Sequence, residues 1–236
     1  MISRVIRKFK IILNVMDPKE KIIHTVINNK LTYLSYKHLD NIYKEIKNIN
    51  KLEGIIVEAG CALGGSAIVI ANAKSKDKKF KIYDIFGMIP PPSKKDGDDV
   101  KKRYEIIRSG KSKGIGGDTY YGYRDNLLDI VKNNFSICNV NLDNSIEFIK
   151  GLYQDTLIID EPVCMAHIDC DWYESVMICL EQIIPNLVVR GKVIIDDYNT
   201  WSGCKYAVDD YFSDPNFKSK FKFNLGEKLV IEKIRM

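Results

Sequence analysis

The hydrophobic pattern of the chain changes character near residue 54. Before it, apolar residues recur at helical spacing: Val5, Ile6, Phe9, Ile12 and Leu13 within 3–14, then Leu34, Leu39, Ile42, Tyr43 and Ile46 within 32–48. Both segments read as amphipathic helices, the first with Arg4, Arg7, Lys8 and Lys10 between its apolar positions. After residue 54, short apolar runs alternate with helical patterns. "GIIVEAG" and "KFKIYDIF" read as strands, with "SAIVIANAKS" as the helix between them. "NNFSICNVNLDNSIEFIKG" holds a helix end, a loop and a third strand. The run "TLIIDEPVCMAHIDCD" is broken at Asp160–Pro162 and continues as a strand to Asp169. "YESVMICLEQII" is helical, "GKVIIDDY" is a further strand, and "FKFNLGEKLVIEKI" resembles a closing hairpin. This alternation predicts an α/β fold with a doubly wound, mostly parallel sheet and one antiparallel strand near an edge.

The alternation is interrupted over residues 90–124, where three prolines, charge runs and the Gly114–Gly117 cluster mark a long insertion. Tyr120, Tyr121 and Tyr123 close it and point to an ordered segment facing substrate. The expected organisation is an N-terminal helical extension over 1–50, serving as a lid or subunit contact, and one domain over 51–236.

The chain has 236 residues, 45% of them hydrophobic and 28% charged, which excludes a disordered protein. No apolar run is long enough to span a membrane. The net charge of +5 hides an uneven distribution. Residues 1–50 carry 10 basic and 4 acidic side chains, whereas 151–200 hold only Arg190 and Lys192 against nine carboxylates. A general nucleic-acid binder spreads its positive charge over the folded body, so no nucleic-acid partner is expected. The basic first helix leaves contact with an anionic membrane surface open. Six cysteines without a CxxC pair, and three histidines, argue against a zinc site or a disulfide scaffold. No small-residue cleavage site follows the N-terminal segment, so a cytoplasmic location is expected.

Three constellations carry chemistry. "VEAGCALGGS" places Glu58, Gly60, Gly64, Gly65 and Ser66 at a strand-to-helix turn, where open α/β sheets bind ligands. Its spacing is not the GxGxxG of a dinucleotide site. An acid at Glu58 repels a pyrophosphate and suits a cationic group such as the amine of S-adenosylmethionine. Asp84 ends the second strand, where an acid can accept both hydroxyls of a ribose. Finally, "HIDCDWYE" and "VIIDDY" bring Asp169, Asp196 and Asp197 to one sheet edge. Gathered carboxylates raise one another's pKa unless a cation sits among them, and oxygen-only ligation suits Mg²⁺, with Mn²⁺ or Ca²⁺ as substitutes.

Five ordered motifs, "VEAGCALGGS", "YDIFGMIPPP", "FIKGLYQDTL", "HIDCDWYESVMICLEQIIPNLVVRGKVIIDDY" and "GCKYAVDDYF", resemble the macrocin O-methyltransferase (TylF/MycF/NovP-like) family over about residues 31–212. The resemblance implies a Rossmann-like fold, homo-oligomeric assembly, and S-adenosylmethionine- and Mg²⁺-dependent methylation of hydroxyls, typically of deoxysugars. By position it implies Asp169, Asp196 and Asp197 as metal ligands, with Asp169 also the general base. It places Glu58, Gly60, Cys61, Gly64 and Ser66 in the methionine-binding turn, Asp84 at ribose, and Gly151 and Tyr153 near adenine. Tyr198, with Tyr120 and Tyr121, is expected beside the acceptor. The insertion and the basic N-terminal helix depart from the family, so the expected acceptor is a sugar of a bacterial surface glycan, its nucleotide-linked precursor or a glycosylated natural product. A catechol or other phenol is the alternative acceptor. An NAD-dependent oxidoreductase or non-catalytic nucleotide-binding module is a more distant one.

Overall fold

The structure, a computed structural model, describes residues 17–236; the expected helix over 3–14 lies outside them. Two helices open the described chain, α1 (Pro18–Asn28) and α2 (Tyr36–Ile49). Each starts at a sequence-encoded cap. Asp17 accepts from Lys19 N with Pro18 in the first turn, and the Ser35 hydroxyl accepts from His38 N. Then follow β1 (Ile55–Ala59), α3 (Gly65–Ala73), β2 (Phe80–Asp84), α4 (Asp98–Arg108), α5 (Leu127–Ile137), β3 (Ile146–Lys150) and the single turn α6 (Tyr153–Thr156). The second half runs β4 (Val163–Ile168), α7 (Tyr173–Asn186), β5 (Leu187–Ile195), α8 (Ser202–Tyr211), α9 (Pro215–Lys218), β6 (Phe221–Leu225) and β7 (Leu229–Lys233).

The strands form one seven-stranded sheet in the order β3-β2-β1-β4-β5-β7-β6. Neighbours from β3 to β5 are parallel, and β7 lies antiparallel between β5 and β6. The expected doubly wound sheet and its closing hairpin are both present, with the antiparallel strand one place in from the edge.

Side-chain alternation divides the core into two layers. Ile56, Ile82, Met165 and Ile194 meet α1, α2, α3 and α5 on one face. Ile55, Val57, Val193 and Ile195 meet α7 and α8 on the other. Leu39, Ile42 and Ile46 of α2 are fully buried in the same cluster as Ile56 and Ile68, so residues 17–49 complete the sheet's own core. Helix α1 is absent from the elements expected from the sequence, yet its Ile22, Ile23 and Val26 are buried there.

The insertion is ordered. It contains α4 and two single 3₁₀ turns, Ile115–Gly117 and Tyr121–Tyr123. Two of its carboxylates cap core helices. Asp96 Oδ1 accepts from Tyr173 N (2.8 Å) at the start of α7, and Asp99 Oδ2 accepts from Ser202 N (2.9 Å) at the start of α8. Helix N-termini present unpaired N–H groups and favour negative charge, so the caps pin the insertion over the sheet edge. Asp96→Ala is expected to cost about 1–2 kcal/mol and to speed proteolytic cleavage within 90–124. Urea denaturation and limited proteolysis check this; wild-type behaviour in both would remove the cap from the account.

Candidate active site

Strands β1, β2, β4 and β5 end at one edge, and backbone hydrogen bonds align their continuations. Gly60 N donates to Tyr83 O, Asp169 N to Ala59 O and Asp196 N to Ile168 O, each at 2.9 Å. Gly60 has φ +87°, and a Cβ there would stand 1.9 Å from the carbonyl oxygen of Asp169. Only glycine permits that approach. The edge opens into two adjoining cavities. The first, about 540 Å³, is lined by Gly60, Asp84, Gly151, Leu152 and Tyr153 among others. The second, about 1220 Å³, is wider and is lined by Tyr33, Arg103, Tyr120, Trp201, Asp196 and Asp197 among others. Gly60, Asp84, Tyr121, Asp169 and Asp171 line both.

In the first cavity, Asp84 Oδ2 accepts from Cys61 N (2.8 Å) and Oδ1 from Phe86 N (2.6 Å). Burial raises its pKa, and these backbone donors work against that rise. The carboxylate lines the cavity, where a ligand hydroxyl could donate to it. The Asp84 carbonyl accepts from Gly151 N (3.1 Å), which sets the loop carrying Tyr153 beside it. Of the glycine-rich turn, Gly60 alone lines this cavity. Cys61, Gly64 and Ser66 are buried behind it, and Cys61 contributes its amide to Asp84.

Two expected site residues point elsewhere. Glu58 lines neither cavity, because strand alternation turns it to the face covered by α2 and α3. Its Oε1 lies 2.9 Å from Nδ1 of His167, its register partner on β4, and both side chains are fully buried. Tyr198 also lines neither cavity; its hydroxyl donates to Asp209 Oδ1 (2.8 Å) on α8. Tyr120 and Tyr121 do line the second cavity, their rings 4.4 Å apart.

The strand-end aspartates gather as expected and include a fourth. Donor atoms of Asp169, Asp171 and Asp197 lie within 4.8 Å of one another, as do those of His167, Asp169 and Asp196. Asp171 lies outside the set expected from the sequence, although the spacing of "DCD" just beyond a strand signals it; it turns back with φ +60°. Enclosure in the cleft, then neighbouring carboxylates, push the carboxyls of Asp169 and Asp171 well above the usual range. Asp197 is raised for the same reasons. Asp196 differs. Burial opposes its charge, but His167, His38 and Lys228 outweigh burial and hold it below its ordinary value. Lys228 Nζ donates to Asp196 Oδ2 (2.5 Å), and His38 Nδ1 is 3.3 Å from Oδ1. Burial lowers His38 to about 4. For His167 burial acts in the same direction, but Asp196 and Glu58 prevail and push it up to about 10. Asp197 Oδ2 remains buried without a hydrogen-bond partner, whereas Asp196 Oδ1 faces the imidazoles of His38 and His167. An orphan acceptor within a carboxylate set fits a hard divalent cation.

A family model described as macrocin O-methyltransferase (TylF) matches residues 24–222. The chain belongs to that family. The match begins within α1 and ends within β6, wider on both sides than the resemblance read from motifs. The chain is 26% identical over 210 residues to demethyldecarbamoylnovobiocin O-methyltransferase of Streptomyces niveus, covering 86% of this chain and 72% of that one. It is 28% identical over 197 residues to a tetracenomycin-C rhamnosyl 4'-O-methyltransferase of Streptomyces olivaceus, covering 78% and 70%. Among solved structures, the O-methyltransferase NovP superposes with a TM-score of 0.71 at 24% identity, covering 87% of this chain and 83% of that one. The chain is therefore an O-methyltransferase on a Rossmann-like sheet. Among the described residues, no helix is long and apolar enough to cross a membrane.

Proposed function

We propose that the protein transfers a methyl group from S-adenosylmethionine to a sugar hydroxyl with the help of a divalent cation. The observation that carries this reading is the junction of the two cavities, where Gly60, Asp84, Tyr121, Asp169 and Asp171 face both. A donor in the first cavity and an acceptor in the second would meet beside the carboxylates. The first cavity offers Asp84 to ribose hydroxyls and Tyr153 as an aromatic wall. Asp169, Asp196 and Asp197 would hold Mg²⁺, whose chemistry when bound is to lower the pKa of a coordinated hydroxyl. The single proton to be removed falls to the carboxylates at the junction. Asp171 is a second candidate for that role, which the sequence reading gave to Asp169 alone. With Asp171 as base, Asp169 can remain a ligand. The chain's other task is positioning, since a sulfonium methyl is already activated.

The second cavity favours a sugar over a catechol. A flat phenol calls for a narrow slot, whereas this cleft is wide and bordered by Tyr33, Tyr120 and Trp201. One relative is named for methylating a rhamnosyl tetracenomycin, and one structural neighbour is named as a TDP-rhamnose 3'-O-methyltransferase. The test is methyl transfer with S-adenosylmethionine and Mg²⁺ to a panel holding a nucleotide-linked deoxysugar, a neutral methyl glycoside and catechol. A sugar product carrying one added methyl is expected. Methylation of catechol alone would transfer the acceptor assignment to phenols.

A further inference from the structure

We infer that the acceptor cleft contains an oxyanion-binding subsite built on Arg103, so that the acceptor sugar carries a phosphate or carboxylate group. The inference rests on the sugar reading above and adds the acceptor's charge. Helix α4 presents Val100, Arg103 and Ile107 on one side, at the i, i+3, i+7 spacing of an inward face. Val100 and Ile107 are buried as that spacing requires. Arg103 instead lines the second cavity beside Ile107, Tyr33 and Tyr120.

Arg103 is half-buried, and partial enclosure of a charge favours a partner of opposite sign. Arg103 makes no ion pair among the described residues, although five aspartates line the same cleft. Its charge reaches Asp171, where it works against the rise caused by burial, but it touches no carboxylate directly. Lys228 is the ion-pair partner of Asp196. Among the described residues, the guanidinium makes one hydrogen bond, from Nη2 to Ser112 Oγ (2.9 Å), and its Cζ stands 5.8 Å from the Tyr120 ring centroid. Ser112 is itself fixed, its amide donating to the Tyr123 hydroxyl (3.1 Å), which donates to Ile107 O (2.5 Å). The result is a pre-oriented fork whose other N–H groups make no hydrogen bond among the described residues. That is the donor set for a bidentate phosphate or carboxylate.

The subsite also gives the cleft a direction. Its floor is acidic and its Arg103 side cationic, so a sugar with one anionic group enters with that group at Arg103 and a hydroxyl toward Asp169 and Asp171. A neutral glycoside would gain no such orientation.

The test is calorimetry on the full chain, loaded with S-adenosylhomocysteine and Mg²⁺. The probes are a deoxyhexose 1-phosphate, a nucleoside diphosphate deoxyhexose, a hexuronate and the neutral methyl glycoside. Wild type is compared with Arg103→Gln and Arg103→Lys, and the same probes without the homocysteine product are assayed for methyl transfer. Wild type is expected to bind an anionic probe at least about tenfold tighter than the neutral one. Arg103→Gln should erase that advantage with cofactor-product binding unchanged, and Arg103→Lys should restore part of it. Preference among the probes tells phosphate from carboxylate. Equal binding of neutral and anionic probes, or an advantage that survives in Arg103→Gln, overturns the subsite. Anion binding through Arg103 with no sugar methylated would keep the subsite and defeat the sugar reading. Methylation of the neutral glycoside without an anion advantage would do the reverse.

Discussion

Replacing Asp197 by asparagine is expected to lower kcat by about 10³-fold, equivalent to about 4 kcal/mol of barrier, while S-adenosylhomocysteine binding changes little. Two observations set this apart from an ordinary active-site substitution. Asp197 lines only the second cavity, so the cofactor cavity keeps its walls. Its Oδ2 has no partner in the protein, so no intramolecular hydrogen bond from that oxygen is lost with the charge. What is lost is one donor to a cation. A ligand that binds only the folded state raises its melting temperature. Wild type should therefore gain thermal stability on addition of Mg²⁺, and Asp197→Asn should lose most of that gain. Asp196→Asn is a less clean experiment, because it also leaves the Lys228 ammonium without its carboxylate. A variant at 197 with wild-type turnover and a wild-type Mg²⁺ response would remove the aspartates from the chemistry.

Gly60→Ala is the second large effect. An alanine there adopts a left-handed backbone at a cost of about 1–2 kcal/mol, and its methyl would sit 1.9 Å from the Asp169 carbonyl oxygen. Relief requires β1 and β4 to part at the point where both cavities begin. The expected result is a total loss of about 3 kcal/mol or more in stability and at least tenfold weaker S-adenosylhomocysteine binding. Gly110→Ala is the control. It has φ +75° with nothing within 4 Å of the added Cβ, so it carries the backbone cost alone. Denaturant unfolding and calorimetry on the pair separate close approach from conformational strain. If Gly60→Ala binds the product as wild type does, the turn is not the cofactor edge.

The parallel sheet was legible because β1, β2 and β4 are buried on both faces and therefore read as apolar runs. Its functional edge was legible because acids end those runs. What escaped the sequence has specific causes. His38, His167 and Lys228 converge on Asp196 from α2, β4 and the foot of β7, and no spacing in the chain encodes that meeting. Glu58 was read as part of the glycine turn, although it belongs to the strand, where alternation sends it under α2. The charges of 94–103 mark the insertion in the sequence without showing what they contact. Asp96 and Asp99 within that run are helix caps and Arg103 faces inward, which becomes visible only once α7 and α8 stand beside α4. Helix α1 has only three buried positions, too few to stand out from its polar neighbours.

The central claim is that the acidic edge holds a divalent cation for methyl transfer from S-adenosylmethionine to a sugar hydroxyl. Its most direct measurement is product formation from labelled S-adenosylmethionine and a sugar acceptor by chelator-stripped protein, titrated with Mg²⁺. The account predicts no product above background without the ion, and saturable recovery as Mg²⁺ is added, with the label on a sugar oxygen. Full turnover in the stripped protein, indifferent to added Mg²⁺, would contradict it.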